Sequence, residues 1–190
     1  MKKYFLLAMS VLLSLSLLSC SSSKRHKGVP ITEAETEVSI PLNGVEYQSN
    51  ADFWRATQSA ISTDVSMAKK IAMQNTRQEL ATMINSEVKG VMENYGENAE
   101  VEMDTQREAV YQELVRTVVD QQLNSVEAVG EKLYRLADGK YRYHICLQVN
   151  KAEFRTHLID VLASESRMKL HFNKERFEQV FNEEMKQLKK

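Results

Sequence analysis

Apolar positions along the chain recur with two periods, and each change of period marks an element. Over residues 53–60, Phe53, Arg55 and Thr57 alternate with Trp54, Ala56 and Ala60, which predicts a first strand. Ser62-Thr63-Asp64 then offers side-chain oxygens to the unpaired amides of a helix start. Ala68, Ile71, Ala72, Leu80, Ile84 and Val88 follow at helical steps, and the small Ala68 and Ala72 let that helix lie close on a sheet. Residues 88–95 read two ways: Val88, Val91 and Tyr95 keep helical spacing, but Gly90 weakens a helix and the segment would also serve as a polar edge strand.

Residues 96–103 are acidic and loop-like, and 105–123 form the next helix, with Val110, Leu114, Val118 and Val119 inward. Two alternating runs, 126–136 and 141–149, flank Asp138-Gly139, a hairpin signature because the turn requires positive φ. Tyr141, Tyr143, Ile145, Leu147 and Val149 share one face of the second arm, so that face is expected to be buried. Asn150 caps a third helix, with Glu153 in the capping-box position and Phe154, Leu158, Val161 and Leu162 as its stripe. Phe172, Phe177, Val180, Phe181, Met185 and Leu188 carry helical spacing to the terminus.

These elements predict an α+β fold, with long helices packed on a small antiparallel sheet over residues 51–166 and an amphipathic C-terminal helix over 167–190. Phe172, Phe177 and Phe181 exceed what one small sheet can cover. They are therefore expected to offer a contact to a partner protein or a second copy.

Upstream of residue 51 the pattern is different. Lys2 and Lys3 precede an apolar run over 4–18, then Ser19 and Cys20, the layout of a secretory signal whose cut site is marked by a thiol. The run is shorter than the roughly 20 apolar residues a spanning helix needs, so a signal peptide over 1–19 is expected, with lipid on the sulfur of Cys20. The two or three acyl chains of a processed lipoprotein hold a protein firmly on a membrane. Residues 20–50, with Ser21-Ser22-Ser23 and Lys24-Arg25-His26-Lys27, read as a flexible tether. Within it, 38–42 alternates like a strand that Pro41 confines to an edge or strap, and Asn43-Gly44 marks a turn.

Removing the signal takes Lys2 and Lys3 from the 25 basic residues, against 26 acidic ones. A domain so close to neutral lacks the concentrated basic face that nucleic acid demands. Roughly 170 remaining residues are one domain's length and enough to bury a core. With Cys20 committed to lipid, Cys146 has no disulfide partner.

Asp52-Phe53-Trp54-Arg55-Ala56, Ser59-Ala60, the Ser62-Thr63-Asp64 cap, Ala68-Lys69-Lys70-Ile71-Ala72 and Gln78-Glu79-Leu80-Ala81 resemble the core of the Lpp-twenty family of envelope lipoproteins. Asp138-Gly139-Lys140-Tyr141 is similar to the final hairpin of that family. The likeness covers residues 52–154 and departs at Gln58-Ser59-Ala60, where family members often carry glycine. It implies a helix on a small antiparallel sheet, an outer-membrane address and no assigned reaction, and it favours an extended segment over 88–95.

Candidate chemistry is sparse. His144 and Cys146 lie two apart on one strand face, a thiol beside an imidazole, but no third orienting residue accompanies them. A half-buried thiol beneath the C-terminal helix is the plainer expectation. His157, Asp160 and His171 show no metal-ligand spacing, and no glycine-rich phosphate loop occurs, so no metal or cofactor is expected. The favoured expectation is a non-catalytic contact module, lipid-anchored at the periplasmic face of the outer membrane, working on envelope proteins or on itself. Ser21, where an aspartate would favour inner-membrane retention in some bacteria, points to the outer membrane. A ligand-binding protein with a cleft between sheet and C-terminal helix is the alternative.

Overall fold

The computed structural model describes residues 38–98, 105–168 and 172–187. The expected signal peptide, Cys20 and most of the expected tether lie outside them. Residues 40–190 form one compact unit of α+β architecture: β1 (Phe53–Ser62), α1 (Val65–Asn98), α2 (Thr105–Asn124), β2 (Glu127–Arg135), β3 (Tyr141–Asn150), α3 (Lys151–Ser164) and α4 (Lys174–Gln187). The sheet is antiparallel with order β1-β3-β2. The expected layering of long helices on a small sheet is what the chain adopts.

Register explains which residues are buried. Trp54 pairs with Val149, Ala56 with Leu147 and Ala60 with Tyr143, so one sheet face gathers these side chains beneath α1. Ala68, Ala72, Thr76, Leu80, Ile84 and Val88 of α1, each four residues after the last, are all fully buried. The row begins with small side chains where the helix crosses the sheet and grows larger beyond it. Thr76 satisfies its buried hydroxyl by donating to the Ala72 carbonyl at 2.8 Å.

The termini form as their side chains dictate. Asp64 Oδ1 accepts from the Met67 amide at 2.8 Å and starts α1. Asn150 Oδ1 accepts from the amides of Ala152 and Glu153 and starts α3 in the residue after β3 ends. Gly139, at φ 82°, makes the hairpin turn, while Leu136 donates across it to the Lys140 carbonyl at 2.8 Å.

Residues 88–95, which the sequence left open, are helical and not the extended segment that the resemblance favours: α1 runs unbroken for 34 residues, about 51 Å at 1.5 Å per residue. The cost of Gly90 in a helix, about 1 kcal/mol, is outweighed because Val88, Val91, Met92 and Tyr95 all bury their side chains. The last ten residues of the expected tether are also ordered. Leu42, at φ 57°, is 5% exposed, and a short 3-10 helix at Val45–Tyr47 leads into β1. Ser49 clamps the outer edge of β1, its hydroxyl accepting from the Arg55 amide at 2.8 Å and donating to the Arg55 carbonyl at 3.1 Å.

Candidate functional site

The three phenylalanines expected to face a partner sit inside the chain. Phe177 and Phe181 are buried, and Phe172 packs against the same core. Their cover is α1 rather than the sheet: Tyr95 meets Phe177 edge-on at 5.4 Å between centroids and Phe172 at 6.1 Å. The Tyr95 hydroxyl accepts from the Asn173 amide at 2.8 Å and fixes the entrance to α4. The contact expectation for Phe172, Phe177 and Phe181 is therefore corrected, because the distal half of α1 supplies the apolar surface that the small sheet lacks.

The C-terminal helix α4 packs on α1 and α3. A groove of about 950 Å³ runs between α1 and α2. Met92, Tyr111 and Val115 give it an apolar lining, and Lys89, Glu93 and Arg116 ring it with charge of both signs. Tyr111 is buried, which raises its phenol pKa, and its hydroxyl reaches toward the Val88 carbonyl at 3.4 Å.

His144 and Cys146 share the sheet face away from α1, as alternation requires. Cys146 is fully buried, but beneath the 40–50 strap rather than beneath the C-terminal helix: its thiol points at the Tyr47 carbonyl at 3.6 Å. Burial raises the thiol pKa, partly offset by Thr57 and Arg55. Burial also lowers that of His144, helped by the nearby charges of Arg142 and Lys132. The pair thus rests as neutral thiol and neutral imidazole near pH 7, the opposite of an activated thiolate. The His144 ring meets Tyr134 edge-on at 5.6 Å.

Gly130 makes room for the strap. A Cβ there would stand 2.8 Å from Tyr47 Cε1 and 3.2 Å from Leu42 Cδ2. The chain bulges between Ala128 and Gly130, which brings Gly130 opposite Cys146.

Two charged clusters pin α1 to the sheet. At one end Lys69 lies 3.2 Å from both Glu131 carboxylate oxygens, and Tyr143 donates to the same carboxylate. The Tyr143 hydrogen bond, with Lys69 adding, holds the Glu131 pKa below its ordinary value. At the other end, the Trp54 indole donates to Glu87, Lys151 Nζ lies 3.7 Å from that carboxylate, and the ammonium stands 5.1 Å from the Trp54 ring centre. The sequence reading missed this second cluster, since its three members are far apart in the chain. An acidic residue one step before the buried Val88 was the available signal.

His157 is half-buried with Nδ1 3.5 Å from Gln122 Nε2, and Asp160 lies 4.0 Å from Lys174. His171 lies outside the described residues. Among the described residues no group of three or more His, Cys, Asp or Glu side chains is placed to hold a metal, and no helix is long and apolar enough to cross a membrane.

No protein-family model, no curated protein and no solved structure matches this chain.

Proposed function

We propose that this chain is a lipoprotein of the bacterial outer membrane, held by acyl chains on Cys20 and facing the periplasm, that works through protein contacts and carries out no reaction. The observation that carries the reading is Leu17-Leu18-Ser19-Cys20 at the end of a short apolar run behind Lys2 and Lys3. The resemblance to the Lpp-twenty core supports it. So does the resting state of Cys146, which the strap covers, and of His144, since burial raises the thiol pKa and lowers that of the imidazole. The contact surface in this reading is the sheet, since α4 spends its aromatic face within the chain. Membrane fractionation with labelled palmitate tests it: wild type incorporates label and sediments with membranes, and Cys20→Ala does neither. Unchanged sedimentation of Cys20→Ala overturns the reading.

The groove between α1 and α2 favours a second reading, a lipid-anchored ligand carrier. Native mass spectrometry separates the two. A carrier releases a bound small molecule that Gln112→Trp, on the groove lining, excludes, whereas a contact module carries none in either form.

A further inference from the structure

The sheet has two edges, and the chain treats them differently. At β1 the Ser49 hydroxyl clamps Arg55, and the Asn50 amide donates to the Phe53 carbonyl at 3.0 Å. No such clamp sits on β2 among the described residues, where seven of nine positions are exposed. The helix layer packs chiefly on β1 and β3, and it meets β2 through the Lys69–Glu131 pair on the sheet face. Leu133 and Tyr134, one on each sheet face, are 47% and 43% exposed, unusual for adjacent large apolar residues.

We infer that β2 pairs antiparallel with β2 of a second copy, about a two-fold axis through Leu133, joining two sheets into one of six strands. Leu136 donates inward across the hairpin to Lys140, so alternation turns the backbone groups of Glu131, Leu133 and Arg135 outward. With Leu133 opposite its own copy, those outward groups meet as hydrogen-bonded pairs. The same register sets Glu131 against Arg135 and Lys132 against Tyr134, twice each by symmetry. Opposite charges and a cation over an aromatic ring thus flank an apolar centre. Moving the axis to Glu131 or to Lys132, register shifts of four and two residues, puts like charges face to face. This deepens the contact function proposed above by naming the partner, but it stands on the strand edge alone and is read separately from membrane retention.

The test is disulfide trapping of the full chain in its own membranes. Residues opposite each other in a hydrogen-bonded pair have Cα atoms about 5.5 Å apart, within disulfide reach. Leu133→Cys is expected to convert most of the chain to a covalent dimer under mild oxidant. Lys132→Cys and Tyr134→Cys are each expected to link weakly alone and at least fivefold more when co-expressed. Val45→Cys, on an 83% exposed residue of the strap, gives the background. A Leu133→Cys signal no higher than that background overturns the inference. Linkage of Leu133→Cys to a chain of another mass also overturns it, because a different protein then holds the edge. Palmitate incorporation by the same variants, measured in parallel, shows whether a failure belongs to the edge or to the anchor.

Discussion

The ring of Tyr47 occupies the space that any side chain on Gly130 would claim, with Cε1 2.8 Å from where a Cβ would stand. Replacing Gly130 by valine displaces the strap from the sheet. The expected outcome is a loss of about 1–3 kcal/mol in denaturant unfolding, the range for forcing volume into a packed site. In a Cys20→Ser background, where Cys146 is the one thiol, Gly130→Val is expected to speed thiol labelling at least tenfold. Unchanged labelling means that something other than the strap shields Cys146.

Phe177 is fully buried against Tyr95, Phe172 and Phe181. Phe177→Ala is expected to cost about 3–5 kcal/mol, the range for emptying an aromatic site in a core. Urea unfolding followed by far-ultraviolet circular dichroism measures it. A ring reserved for a partner would leave the stability of the isolated chain nearly unchanged.

The Glu87 carboxylate faces both the Trp54 indole and the buried Lys151 ammonium. Glu87→Gln keeps the shape but removes the charge that Lys151 faces at 3.7 Å, and is expected to cost about 3 kcal/mol. Glu87→Leu with Lys151→Met removes both charges and is expected to recover most of that loss, since an apolar pair needs no desolvation of ions. Glu87→Leu and Lys151→Met alone, with the double variant and wild type, each unfolded in urea, complete the cycle.

His144 links stability to pH. Its folded pKa lies below the ordinary 6.5 because of burial and the charges of Arg142 and Lys132. The unfolded chain therefore takes up a proton at this position first as the pH falls. The contribution is full above 6.5 and is lost as the pH drops from there toward the folded value. Unfolding free energy measured between pH 7.5 and 5 is expected to decline less steeply in His144→Gln than in wild type. Equal slopes would place the titration elsewhere.

Much of this arrangement was legible in the sequence. Period-two alternation located β1 and the hairpin arms, Asp138-Gly139 located the turn, and Asp64 and Asn150 located two helix starts. These features are local, set by neighbours within four residues. Residues 88–95 were ambiguous because Gly90 argues locally against a helix, while the contacts that decide the matter come from α2 and α4. The same distance in sequence hid the burial of Phe172, Phe177 and Phe181, whose cover begins some eighty positions earlier at Tyr95. The alternation over 38–42 and Pro41 offered an edge or a strap but not where Leu42 and Tyr47 would seat. Their value lies in the notch at Gly130, which appears only once β2 is in place.

A single rod, α1, serves as spine to two separate stores of apolar contact: the sheet beneath its first turns, and α2 and α4 beside its last ones. Neither store can melt alone without leaving half of that rod undressed in water, so both are expected to fall in one cooperative event. A lesion at the Phe177 end should therefore lower the melting temperature of the hairpin as well.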